Sequence, residues 1–358
     1  MKFAEEVTAR GRIAHPMFRA PIVVVLLAAG LPLLGQEVSL LVPTKAVPKM
    51  EFAGPAFVAG TPCDSDGNIY LRGPRSVQVE KLSREGKAVA QFNLSAAQDP
   101  ELQKRGLDSY AVDQRGSVFV LVDRKKATFV VEFGPDGEYE KTIKLDVADL
   151  QPYRLTVFPT GELLVSGVVL DSQMNSLSTP YTAIFDPQGR LIKNLSLAGD
   201  ISRASVDAER KSTGEAELSD AEAAYAVQEE IGGGAAAIGP DGNAYLFRNT
   251  RPPIMYVISA GGILVRRIAL KPPSENVIPL GESVSGGRVL VVFGHQAAKD
   301  VSEVQFYSLY DALTGEHLYD YKESPELHGG FACYTQNAFL FIGMGADGSP
   351  TLIEAQPR

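Results

Sequence analysis

The groups in this 358-residue chain best suited to chemistry are cationic side chains in the segments between its apolar runs: Arg72, Arg75, Arg105, Arg124, Lys125, Lys126, Arg154, Arg248 and Arg251. Arginine presents a planar fork of donors that matches a carboxylate or phosphate, so such a set suits an anionic ligand. It equally suits the ordinary role of solvated loop charges. His295 and His328 lie near the same segments, and Glu282, Asn276, Asp108 and Asp123 are the oxygen donors close to loop ends. None of them sits in a motif with known mechanics, since the chain has no G-x-S-x-G elbow, H-E-x-x-H, phosphate-binding loop or Cys-x-x-Cys. Asp64-Ser65-Asp66 has the acidic spacing of a calcium loop, but Asp-Gly turns recur for conformational reasons. Two cysteines, Cys63 and Cys333, exclude both a disulfide-dense scaffold and a Cys-rich zinc site.

These groups need a frame, and the composition supplies one. Apolar residues make up 45% of the chain, enough for a large core. Residues 1–36 stand apart. Lys2, Arg10, Arg12 and Arg19 precede an apolar run from Pro21 to Leu34, which is short for a bilayer span and reads as a secretory signal peptide. The run also suits an uncleaved anchor, and Met17 is an alternative start. No cysteine follows it, so a lipoprotein site is absent. Removing residues 1–36 takes away four basic and two acidic residues and moves the net charge from −9 to −11. That balance opposes nonspecific binding to nucleic acid.

The frame itself is a repeated polar turn opening into an apolar strand: Asp66-Gly67-Asn68-Ile69-Tyr70-Leu71, Arg115-Gly116-Ser117-Val118-Phe119-Val120, Thr160-Gly161-Glu162-Leu163-Leu164-Val165, Asp241-Gly242-Asn243-Ala244-Tyr245-Leu246 and Gly286-Gly287-Arg288-Val289-Leu290-Val291. The turn glycines are 49, 45, 81 and 45 residues apart. A second turn follows each, at Gly86, Gly137, Gly189, Gly262 and Gly315, with strand-like runs between. Four short antiparallel strands in about 45 residues is the pattern of a β-propeller blade. A sixth unit starts at Phe331 and has three strands; the unused run Glu37–Val42 supplies its fourth. The reading is therefore all-β: a six-bladed propeller of four-stranded blades over 37–358, closed by the N-terminal strand, which removes exposed sheet edges. The long interval marks an insert at 198–233, where Ser219 and Glu222 form a capping box for a short helix, about Asp220–Ile231.

The stretch Asp66–Leu71, Val77-Gln78-Val79 and Leu82–Gly86 resembles an NHL repeat, and the chain from about 37 to 356 is similar to secreted six-bladed propellers of the NHL and TolB-like type. Later units share only the turn and strand spacing. The resemblance implies that inter-blade loops and the loops joining second to third strands emerge on one face, with the glycine turns on the other. The loop face then carries the ligand-binding set Arg72, Arg75, Arg105, Arg124, Lys126, Arg154, Arg248, Arg251 and His295 around a channel mouth. Gluconolactonase- and paraoxonase-type relatives of this architecture hold calcium on the axis, but no transferable metal or catalytic motif is present. The expectation is a secreted or periplasmic, monomeric binding or scaffold module without a resident cofactor or a membrane span after signal cleavage. It would recognise an extracytoplasmic protein segment or an anionic glycan. The alternative is a calcium-dependent lactonase-like hydrolase.

Two irregularities bear on this. The insert holds nine acidic and three basic residues, and suits either a lid over the basic mouth or an exposed acidic loop. Cys63 and Cys333 precede equivalent strands in the first and last units, which adjoin in a closed ring, so they suit either a disulfide staple or two buried thiols.

Overall fold

The computed structural model describes residues 38–52, 61–72, 77–104, 106–124, 127–169, 179–195, 197, 236–248, 252–274, 277–296, 302–335 and 338–358. All belong to one compact unit, Gln36–Arg358. Strands succeed one another with one short helical turn, Leu94–Ala96, whose start is capped by the Asn93 side chain accepting from Ser95 N. The expected insert and its helix lie outside the described residues.

Strand β1 (Ser39–Val47) comes first in the chain. A three-stranded antiparallel sheet follows, of β2 (Ile69–Leu71), β3 (Gln78–Leu82) and β4 (Ala88–Asn93). Among the described residues its inner position holds a bridge, Cys63 to Ile69. Four-stranded sheets come next: β5 (Ser109–Val112), β6 (Val118–Arg124), β7 (Ala127–Phe133) and β8 (Tyr139–Ala148); then β9 (Leu150–Val157), β10 (Leu163–Val169), β11 (Thr179–Phe185) and β12 (Leu191–Asn194). The fourth sheet has β13 (Ala236–Ile238), β14 (Ala244–Arg248), β15 (Ile254–Ile258) and β16 (Leu264–Ala269). The last strands are β17 (Ile278–Ser285), β18 (Arg288–Gln296), β19 (Ser302–Asp311) and β20 (His317–Glu323), followed by β21 (Gly330–Thr335), β22 (Ala338–Met344) and β23 (Pro350–Pro357).

The N-terminal strand does more than the expected pairing. β1 lies antiparallel to β23, with Leu41 opposite Pro357 and Val47 opposite Leu352. It also pairs parallel to β20 through Ser39–Tyr321 and Leu41–Glu323, so the last seven strands and β1 form one eight-stranded sheet.

Alternation along each strand gives both sheet faces apolar residues, and these fill the gaps between successive sheets. Phe119, Leu121 and Val130 of the second sheet pack on Leu155, Val165 and Phe185 of the third. The opposite face of the third sheet, with Leu164 and Ile184, packs on Leu246 and Tyr256 of the fourth. The series runs on to a cluster joining Ile69, Leu71 and Leu82 near the start with Ala332, Leu340 and Ile342 near the end. Cys63 and Cys333 are disulfide-bonded across that junction, their Cα atoms 6.3 Å apart.

The second glycine turns lock neighbouring sheets at the periphery. Gly189 has φ +83°, and a Cβ there would stand 2.2 Å from Lys144 O; its own carbonyl accepts from Asp146 N at 2.8 Å. Gly137, with φ +88°, would bring a Cβ 2.1 Å from Gln91 O. Both positions need glycine twice, for the left-handed backbone and for the close approach.

Candidate functional site

Inner strands contact each other directly, between the third and fourth sheets (β9 and β13) and between the two ends of the eight-stranded sheet (β17 and β21). Thr156 Oγ1 on β9 donates to Ala236 O on β13 at 3.0 Å. On β17, Ser283 Oγ lies 3.3 Å from Tyr334 O and accepts from Tyr334 N at 3.2 Å. These inner strands carry the side chains that converge.

Arg154 is on β9 and Glu282 on β17, while Arg72 follows β2. Burial, the largest influence, pulls the Arg154 guanidinium below its usual value; the Glu282 charge opposes this and the Arg72 charge adds to it. Arg72, Arg154 and Glu282 thus belong to the first, third and fifth sheets in chain order. Arg154 Nη1 donates to its neighbour's carbonyl, Tyr153 O, at 3.0 Å. Arg72 Nη1 donates to Leu107 O at 2.9 Å, fixing it across the boundary between the first two sheets. Close by, Asp108 Oδ2 accepts from Asp123 N at 2.6 Å, so this carboxylate closes the second sheet's loop.

The other candidates are placed differently. Arg124 pairs with Asp99. Arg248 is fully buried and lies 5.8 Å from the Tyr256 ring centre, in cation–π range. His295 is on β18, its backbone in register with Glu303. His328 is exposed. Arg75, Arg105, Lys125, Lys126, Arg251 and Asn276 lie outside the described residues.

The glycine-turn carboxylates are occupied by their own turns. Asp64 accepts from Asp66 N, Asn68 N, Asn68 Nδ2 and Tyr70 OH at 2.8–3.1 Å. Asp241 repeats the arrangement with Asn243 and Tyr245. Backbone capping, rather than ion coordination, accounts for the acidic spacing at 64–66. Among the described residues no group of three His, Cys, Asp or Glu side chains is placed to hold a metal ion.

Sequence reasoning missed two polar groupings. Ser166 and Thr182 are cross-strand partners on β10 and β11, and Ser166 is also opposite Arg154. Both hydroxyls are buried without a hydrogen-bond partner. In the sequence, Ser and Thr in a strand read as the solvent-facing half of an alternation. The second grouping is Ser308, Asp320 and His317: Asp320 Oδ1 accepts from Ser308 Oγ at 2.6 Å and lies 2.8 Å from His317 Nε2. The hydroxyl bonds the carboxylate, not the imidazole, so this is not a nucleophile–base pair.

No helix among the described residues is long and apolar enough to cross a membrane. No protein-family model matches the chain, and no curated protein sequence is similar to it. Solved structures similar to it include a gluconolactonase from Xanthomonas campestris (12% identity, TM-score 0.45, covering 90% of this chain and 98% of that one). Another is the Pan2 WD40 domain of Neurospora crassa (11%, 0.44, 89% and 96%). Virginiamycin B lyase from Staphylococcus aureus is a third (10%, 0.40, 87% and 98%).

Proposed function

We propose that the sheets are the blades of a closed six-bladed propeller of the NHL and TolB-like type, acting outside the cytoplasm as a monomeric binding module. Its ligand is a carboxylate-bearing chain, an acidic protein segment or an anionic glycan, received at the mouth ringed by inter-blade loops. The observation that carries this reading is the placement of two arginines: Arg72 is held on Leu107 O at the boundary of the first two sheets, and the largely desolvated Arg154 stands on β9, whose Thr156 bonds Ala236 of the next sheet. Arg154 is desolvated there, and in such a place an incoming carboxylate interacts more strongly than in water. Arg75, Arg105, Lys126, Arg251 and His295 would extend the basic ring, and Arg124 and Arg248 would support its wall.

The test is binding of oligogalacturonate and of an oligoglutamate peptide to the intact chain and to its Arg72→Gln variant. Loss of about tenfold or more on substitution supports the mouth, since a bond to a charged group is worth about 1.5–3 kcal/mol. Binding of neither probe, or equal binding by both proteins, contradicts it. Calcium provides the control for the hydrolase alternative: a calcium-dependent rise in Tm would favour that reading, because a ligand that binds only the folded state stabilises it.

A further inference from the structure

Nine of the eleven large hydrophobic residues exposed among the described residues fall on one arc of the periphery, far more than scattered surface aliphatics would give. The arc begins on β12 with Leu191 and Ile192, 44% and 45% exposed. The β15–β16 turn sits against that strand, a Cβ on Gly262 coming within 2.6 Å of Lys193 Cβ. This turn and β16 carry Ile263, Leu264 and Val265, and Ile263 is 67% exposed. At the equivalent place after the turn glycine, the first, second, third and fifth sheets have Lys87, Glu138, Arg190 and Glu316, so Ile263 departs from a polar rule. The next turn rests on β16 in the same way, Gly315 meeting Ile268, and brings in Leu313, with Tyr319 on β20. β20 then pairs with β1, whose Val38 and Leu40 end the arc.

The charges along the arc reverse the sign of the protein. In the outer strands β12, β16 and β20 with the turns before them and Lys271, the exposed charged residues are Lys193, Arg267, Lys271 and Lys322 against Glu316, with Arg190 paired to Asp186. The whole chain carries −9. Gly261, at the tip of the β15–β16 turn, has nothing within 4 Å of a Cβ added there, so this turn projects into open space. Projecting aliphatic side chains bordered by basic ones are the means by which a soluble fold rests on an anionic lipid surface.

We propose that the outer edge centred on β16, with the adjoining parts of β12 and β20, is a docking surface for an anionic bilayer. It holds the propeller edge-on to lipid, away from the mouth. Ile263 and Leu264 enter the interfacial region, and Lys193, Arg267, Lys271 and Lys322 face the headgroups.

The experiment is flotation of the full chain with vesicles of phosphatidylcholine alone and of phosphatidylcholine with phosphatidylglycerol at 3:1, compared with Ile263→Asp/Leu264→Asp and Lys193→Gln/Lys271→Gln variants. All forms keep residues 21–34, so any lipid affinity of that run is common to them. The expected result is that wild type partitions onto the anionic vesicles. The aspartate variant loses at least about tenfold in partition coefficient, and the glutamine variant loses binding to the anionic vesicles only. Unchanged melting temperatures show that the exposed substitutions leave the fold intact. Equal flotation of all three forms, or no flotation of wild type, overturns the proposal. So does a concentration-dependent dimer in light scattering that the aspartate variant abolishes, which would assign the arc to a second copy of the chain.

Discussion

Replacing Gly189 by alanine isolates the contact that locks neighbouring sheets. The left-handed backbone at φ +83° penalises a Cβ by about 1–2 kcal/mol. The added Cβ would also stand 2.2 Å from Lys144 O, which backbone cannot tolerate, so the turn must withdraw from β8. Withdrawal breaks the 2.8 Å bond from Asp146 N to Gly189 O, worth about 1 kcal/mol. The sum is about 3 kcal/mol, or an apparent Tm lower by about 6 °C in a chain of this size. Two other glycines calibrate it. Gly287 has φ +75° but open space around its Cβ position, so Gly287→Ala carries only the backbone penalty of about 1–2 kcal/mol. Gly261 has neither feature, and Gly261→Ala falls within about 0.5 kcal/mol of wild type. Thermal and urea unfolding of the three variants should rank them in that order. Equal losses for Gly189→Ala and Gly287→Ala would refute the turn-on-strand contact.

Three further outcomes are expected. Reducing the Cys63–Cys333 bond, or replacing both by serine, lowers unfolding free energy by about 5–6 kcal/mol in the chain-entropy limit, because the bond closes a loop with a sequence separation of 270; melts with and without dithiothreitol that superimpose would show the bond contributes nothing. Thr182→Val removes a buried hydroxyl that has no partner and keeps the shape of the side chain, so stability rises by about 1 kcal/mol, and a loss in urea unfolding would mean the hydroxyl is satisfied. Asp311 accepts from Thr314 N and Oγ1 and Leu313 N, with the Thr314 bonds holding its carboxyl below the usual value of 3.8. Its folded pKa is depressed, so its contribution is present above about pH 4 and disappears as pH falls through the folded value; Asp311→Asn should therefore lower Tm at pH 6 and converge with wild type near pH 2. A gap of constant size across that range would assign the loss to something other than this ionisation.

Much of the fold was legible because the glycine turns mark strand boundaries with a fixed local geometry. The apolar runs between these turns, such as 128–133 and 255–258, are the cores of β7 and β15. The displaced first strand was legible too, since Glu37–Val42 had strand character and no local partner, and β1 does pair with β23. Its parallel pairing with β20 was not, because a contact between residues 39–41 and 321–323 leaves no periodic trace in either segment. Among the described residues Cys63 makes only a bridge to Ile69, and nothing in the local residue pattern distinguishes that from a strand. At the site, side-chain type identified Arg154 and Arg72 as candidates but could not separate them from Arg124, engaged by Asp99, or Arg248, sealed against Tyr256. Pairing and depth are set by sheet-on-sheet packing, which the sequence encodes only collectively.

Arg154 and Glu282 give the central claim its most direct measurement, because they bear opposite charges in one field. Calorimetric titration of an oligogalacturonate into Arg154→Gln, Glu282→Gln and the unmodified protein should move affinity in opposite directions. Arg154→Gln weakens binding by about tenfold or more, and Glu282→Gln strengthens it several-fold by removing a competing carboxylate. Changes of the same sign in both variants, or no change in either, would contradict a carboxylate-binding mouth built on these residues.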